Sequence, residues 1–120
     1  MDSGIIVFGH GSSVPAANEA VRIVAADAAR AGGWARHETA FLEADPRLGH
    51  AVAKLVTAGA RDILVLPYFL TLGIHLQRDL PKLVEGLERE YAIKIRVAPP
   101  LDGHPELPRI LADRAAEVSQ

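Results

Sequence analysis

At 120 residues, 49% of them apolar and 23% charged, the chain has room for one globular domain with a real core, spanning 1–120. A formal charge of −2 gives neither nucleic acid nor a membrane surface a reason to bind. The absence of cysteine excludes disulfides, thiolate chemistry and iron–sulfur ligation, and short apolar runs with no basic-then-apolar leader make a cytoplasmic location the expectation.

In chain order, strand and helix alternate. Gly4–Gly9 reads as the first strand. A helix follows from about Pro15 to Ala31, with Val14, Ala17, Val21, Val24 and Ala28 on its inner face, Ser12 or Ser13 as cap and Gly32-Gly33 as terminator. Ala35–Leu42 is a more polar strand, which suits a sheet edge. Asp45-Pro46 has the form of an N-cap followed by proline, opening a helix that buries Leu48, Val52, Leu55 and Val56 and ends at Gly59. Asp62–Pro67 is an apolar strand whose lack of alternation predicts cover on both faces, and Pro67, with no amide hydrogen, should end it.

The next segment is unusual. Phe69, Leu70, Leu72 and Ile74 are apolar where connections are normally polar, so this loop should face a pocket, a ligand or a partner. Gly73 would permit a tight bend, with His75 just past it. A third helix is predicted to start between Gln77 and Pro81, with Asp79 as its cap, and to bury Leu80, Leu83, Val84 and Leu87. Ile93–Ala98 is a fourth strand, and a last helix from about Pro105 turns Leu107, Ile110, Leu111, Ala115 and Val118 inward.

This βαβαβαβα pattern argues for an α/β fold: a four-stranded parallel sheet with helices on both faces. Right-handed crossovers favour the order 2-1-3-4, which reverses direction between the first and third strands. Ligands bind in the crevice at such a switch point, outside the carboxyl ends of the strands. His10 follows the first strand, Glu43 the second, His75 the third and His104 the fourth, so His10 and His75 should flank that crevice.

Imidazole is both a metal ligand and the side chain that titrates nearest neutral pH. No His-x-x-x-His spacing supports a fixed three-ligand zinc site. Two histidines and a carboxylate suit transient metal handling or proton acceptance instead. Inserting a divalent ion into a tetrapyrrole needs both, since the ion sheds water and two pyrrole N–H protons leave. The apolar Phe69–Ile74 run would suit the face of a flat macrocycle.

Gly9-His-Gly-Ser12, Asn18, Phe41-Leu-Glu43, Pro67-Tyr-Phe-Leu-Thr-Leu-Gly-Ile-His75, Asp79-Leu-Pro81 and Pro100-Leu-Asp-Gly-His-Pro105 together resemble the small CbiX-type class II chelatases, which act on sirohydrochlorin in cobalamin and sirohaem biosynthesis. The resemblance covers nearly the whole chain. It implies a chelatase-like, flavodoxin-like domain that inserts Co²⁺, Fe²⁺ or Ni²⁺ into sirohydrochlorin. No cofactor would be tightly bound, and the divalent metal would be a substrate. His10 and His75 would be the catalytic, metal-contacting pair with Glu43 assisting; Ser12, Phe69, Leu70 and Gly73 would line the tetrapyrrole site. Many relatives have Arg-Asp after the Gly-Ser, where this chain has Ser13-Val14. The substrate carboxylates therefore need other cations, for which Arg47, Arg78 and Lys82 are placed. Longer chelatases carry two such lobes, so a homodimer is expected of this single one.

Blander roles compete. Glu43 could serve only the helix after it, His104 could be only a cap, His37 and His50 read as surface residues, and the apolar loop could be only a dimer contact. Two other functions share the same residues: a non-catalytic metal or tetrapyrrole carrier, and a phosphoryl-handling enzyme using Gly9-His-Gly-Ser-Ser13 as a phosphate cradle. Against the latter, no arginine adjoins His10.

Overall fold

The computed structural model describes residues 2–119. Its elements run β1 (Ser3–Gly9), α1 (Pro15–Gly32), β2 (His37–Phe41), α2 (Leu48–Thr57), β3 (Asp62–Pro67), α3 (Ile74–Tyr91), β4 (Lys94–Val97) and α4 (Leu107–Val118). The four strands form one parallel sheet in the order β2-β1-β3-β4, as the alternation predicts, and β2 lies at an edge. No helix among the described residues is long and apolar enough to cross a membrane.

One face of the sheet is closed. Ile6 and Phe8 of β1, Ile63 and Val65 of β3 and Ile95 of β4 pack against Leu48, Ala51, Val52 and Leu55 of α2 and Leu80, Val84 and Leu87 of α3. Burying an aliphatic or aromatic side chain of this size contributes about 1.5–3 kcal/mol, so this layer dominates the stability of the fold. The opposite face is only partly covered. Ala25 and Ala29 of α1 are buried there, whereas Leu64 and Leu66, which alternate with the buried residues of β3, stay half-exposed. Within one chain the second face of β3 is therefore only partly covered, although its composition suits full cover.

Four local expectations need correction. α1 is capped by neither Ser12 nor Ser13: its N-cap is Val14, and its buried positions are Ala25 and Ala29 rather than Val14 and Val24, which are exposed. Asp45-Pro46 does not open α2, whose N-cap is Arg47. α3 starts at Ile74 with Gly73 as N-cap, so Asp79 caps nothing and Pro81 lies inside the helix. A proline there removes one amide donor, but Pro81 and Gln77, whose carbonyl would have received that bond, are both exposed. Water can take the lost partner's place. Leu83 of α3 is exposed as well. Finally, none of the apolar residues of α4 is buried, and among the described residues the helix makes no extensive packing on another element. Gly33 ends α1 in a left-handed conformation as read, whereas the C-cap of α2 is Ala58 and Gly59 turns the chain one residue later with φ 106°.

Candidate functional site

Parallel pairing delivers the site residues. Gly9 is opposite Phe41, and Phe8 is opposite Pro67, so three chain segments leave the sheet side by side. The ladder continues past the strands: Leu42 N–H donates to the Gly9 carbonyl at 2.9 Å, Glu43 N–H to the His10 carbonyl at 2.8 Å, and Tyr68 N–H to the Phe8 carbonyl at 2.7 Å. His10 and Glu43, remote in sequence, are thus fixed as neighbours by backbone bonds. Their side chains meet with His10 Nε2 3.6 Å from Glu43 Oε2, both largely exposed.

The glycines around His10 do not open space for a ligand at Gly11. That residue has φ 87°, and an added Cβ would lie 2.9 Å from the Cβ atoms of Phe41 and Ala44. What approaches Gly11 closely is the chain's own β2–α2 loop. Ser12 and Asn18 lock the other side: Ser12 N–H donates to Asn18 Oδ1 at 2.9 Å, and Asn18 Nδ2 donates to the Ser12 carbonyl at 2.8 Å. Several amides that a phosphate cradle would use are engaged, that of Ser12 among them. Val14 N–H donates to Ser12 Oγ at 3.0 Å, Ala17 N–H to the Val14 carbonyl at 3.0 Å, and Pro15 has none to give.

The imidazole of His10 has one defined role at each nitrogen. Its Nδ1 is 3.1 Å from the Gly11 carbonyl, which can only accept, so Nδ1 carries the proton. In the neutral ring Nε2 then presents a lone pair toward a carboxylate oxygen. Two acceptors facing one another favour a cation between them, whether a proton or a metal ion. Phe69 supports the ring, edge-on at 6.3 Å between centroids, and itself packs on Phe8 at 5.9 Å.

His75 stands at the carboxyl end of the neighbouring strand, but on the first turn of α3 rather than in a loop. Arg78 Nη2 donates to its Nδ1 at 3.2 Å; because arginine has no acceptor, the proton of a neutral His75 sits on Nε2. The same guanidinium contacts Asp79 Oδ1 at 3.4 Å. Among the described residues no three histidine or carboxylate side chains converge closely enough to hold a metal ion.

The apolar run divides in two. Phe69, Leu72 and Leu76 press on the core, whereas Leu70 is 65% and Ile74 79% exposed. Gly73 has an ordinary φ of −66°, so no special bend depends on it. Arg47 donates to the Leu42 carbonyl at 3.0 Å and pairs with Asp45, bracing the loop that carries Glu43. Lys82 is exposed on α3. His104 acts as a local cap, its Nδ1 accepting the Glu106 N–H at 3.1 Å. Two contacts were not visible in the sequence: Leu101 N–H donates to the Phe69 carbonyl and Asp102 N–H to the Leu70 carbonyl, both at 2.9 Å. They dock the segment after β4 onto the apolar loop. Only the presence of a Pro100–Pro105 motif at a strand's carboxyl end hinted at this.

The family model named CbiX matches residues 4–118. The chain belongs to the CbiX family. Among curated relatives, a sirohydrochlorin cobaltochelatase of Methanopyrus kandleri is 35% identical over 88 residues, 72% of this chain and 61% of that protein. One of Methanococcoides burtonii is 30% identical over 96% of this chain and 95% of its own. Several relatives, that of M. kandleri included, are matched over only about three-fifths of their length. Of solved structures, a CbiX protein from Marinobacter aquaeolei superposes with TM-score 0.84 at 31% identity, covering 96% of this chain and 95% of that one. The cobalt complex of the Bacillus subtilis chelatase SirB shares the fold, also with TM-score 0.84, at 24% identity; this chain spans 51% of it. The CbiX domain here thus matches about half of a longer chelatase.

Proposed function

We propose that this CbiX protein inserts a divalent metal ion, Co²⁺ or Fe²⁺ and in principle Ni²⁺, into sirohydrochlorin. The observation that carries the reading is the His10 Nε2 lone pair facing the Glu43 carboxylate at 3.6 Å at the carboxyl end of the sheet. That pair can receive a hydrated cation, exchanging water for nitrogen and oxygen ligands, and it can also receive a pyrrole proton. His75, on the adjoining strand's connection, serves as the second imidazole. Its ring must give up the Arg78 contact before it can ligate, either through Nδ1 or, once the proton has moved to Nδ1, through Nε2. The macrocycle rests against Phe69, Leu70 and the backbone at Gly73 and Ser12, and Arg78 meets its carboxylates. The metal is a substrate, held no longer than transfer requires.

Because His10 and Glu43 lie on an open surface, one chain offers half of an enclosed site. The working unit is a pair of chains, in which a second copy closes the open side.

Mixing the protein anaerobically with sirohydrochlorin and Co²⁺ or Fe²⁺, and following the visible spectrum, tests the reaction. Insertion well above the protein-free rate is expected. A rate equal to that control would sink the enzyme reading, and tight binding without insertion would make the protein a carrier.

A further inference from the structure

The sheet has a bare strip on the α1 side. Leu64 and Leu66 are only half-covered, and beside them Val7, Val24, Ala28, Leu66, Tyr68 and Leu101 line a nearly wholly apolar groove of about 200 Å³. A doubly wound sheet needs a helix after β4 to cover this half. The chain has that helix, and Leu107, Ile110, Leu111, Ala115 and Val118 recur along it at the spacing of one face. Yet Ile110 is 50%, Leu111 72% and Val118 85% exposed. Of the charged side chains of α4, Arg114 pairs with Glu117 and Arg109 with Glu106, the residue before the helix.

The connection explains why α4 does not fold back. Leu101 and Asp102 are tied by their amides to Phe69 and Leu70. Pro99, Pro100 and Pro105 fix φ on either side, and Gly103 turns at φ 79°. An anchored, stiff connection holds the helix away from its own sheet. One chain therefore carries both an apolar groove lacking a helix and an apolar helix lacking a groove. Building on the pairing of chains proposed above, we infer that two copies exchange α4, each laying its Leu107–Val118 face into the groove between α1 and β3 of the other. The arrangement is self-complementary about a two-fold axis, so both grooves are filled at once and no open surface propagates. Helix-in-groove docking of this kind needs only a stripe at helical spacing and a dry receptor.

The test uses the full chain, with ¹³C-labelled and unlabelled protein mixed, equilibrated and read by isotope-filtered NOE spectroscopy. Cross-peaks are expected from the Leu111 and Val118 methyls of one copy to Leu66 and Val24 of the other. Cross-peaks confined to one chain would place α4 on its own sheet and overturn the exchange. A sedimentation mass of two chains without any α4 cross-peaks would overturn it too, while leaving the pairing itself intact. The double variant Ile110→Glu with Leu111→Glu changes no buried residue of one chain, so it should fold. It is expected to lose the dimer and sediment with the mass of a single chain. A variant dimer as tight as the parent's would also end the proposal, as would a parent that stays single at every concentration.

Discussion

The two histidine-bearing turns read alike in the sequence: an apolar strand, a glycine, a histidine. In the structure they are opposites. The His10 turn is over-determined, held by two ladder bonds to β2, a reciprocal Asn18–Ser12 pair, an aromatic ring and a left-handed Gly11 pressed against Phe41 and Ala44. The His75 turn is an exposed first helical turn, with Gly73 in an ordinary conformation and Arg78 donating to the ring. Rigidity on one side and freedom on the other suit a reaction in which one ligand receives the ion and the other adjusts as the macrocycle arrives. The difference teaches that a glycine beside a functional residue states nothing until its φ and its neighbours are known.

The largest effect should come from breaking the rigid side. Gly11→Val demands a disfavoured φ and pushes a side chain into Phe41 and Ala44. Backbone strain and overpacking each cost about 1–3 kcal/mol, so a loss of about 2–6 kcal/mol is expected in chemical denaturation. A loss below about 0.5 kcal/mol would mean that the turn is not held as described. Next come the imidazoles themselves. His10→Ala and His75→Ala should each slow insertion about 100-fold, the scale of a positioned proton acceptor. Both side chains are exposed, so melting temperatures should stay at the parent value. Parent-like insertion by either variant removes that histidine from the site. A smaller step is Asn18→Ala, which leaves the Ser12 amide and carbonyl without their partner. About 1–2 kcal/mol should be lost from stability, since a net hydrogen bond is worth about 1 kcal/mol. An unchanged denaturation midpoint would show that water replaces Asn18 without cost.

Much of this was legible beforehand because it is local or topological. β3 occupies Asp62–Pro67, where the apolar run and the proline place it, and the strand order follows from chain alternation and handedness. The approach of Glu43 to His10 follows once β1 and β2 are paired in parallel. What could not be read depends on partners that a one-dimensional pattern does not name. Periodicity marked the apolar stripe of α4 but could not say that its own sheet would be out of reach. Pro81 reads as a helix start because proline usually breaks helices, but an exposed position tolerates the lost bond. The pattern Gly9-His-Gly11 does not name what approaches it closely; at Gly11 that is the chain's own β2–α2 loop.

The smallest expected effect is also the sharpest control for the comparison. Gly73 has φ −66° and ψ 165°, which any residue adopts, and an added Cβ would meet nothing within 4 Å. Gly73→Ala should therefore not cost folded-state strain. It restricts the unfolded chain, which at compatible sites is worth about 0.4–1 kcal/mol, but alanine is a poorer N-cap than glycine by about as much. A denaturation midpoint close to the parent's is expected, against the large fall for Gly11→Val. The Cβ also provides a probe of substrate approach, because Gly73 adjoins the exposed Ile74 and His75. If the macrocycle lies close over the backbone there, Gly73→Ala should raise KM for sirohydrochlorin while leaving the stability of the fold within about 0.5 kcal/mol of the parent's. If KM is unchanged, the ring does not touch Gly73, and the glycine beside His75 has neither a conformational nor a contact role. Either result separates the two turns: one glycine is required by the protein's own packing, and the other is required by the substrate or not at all.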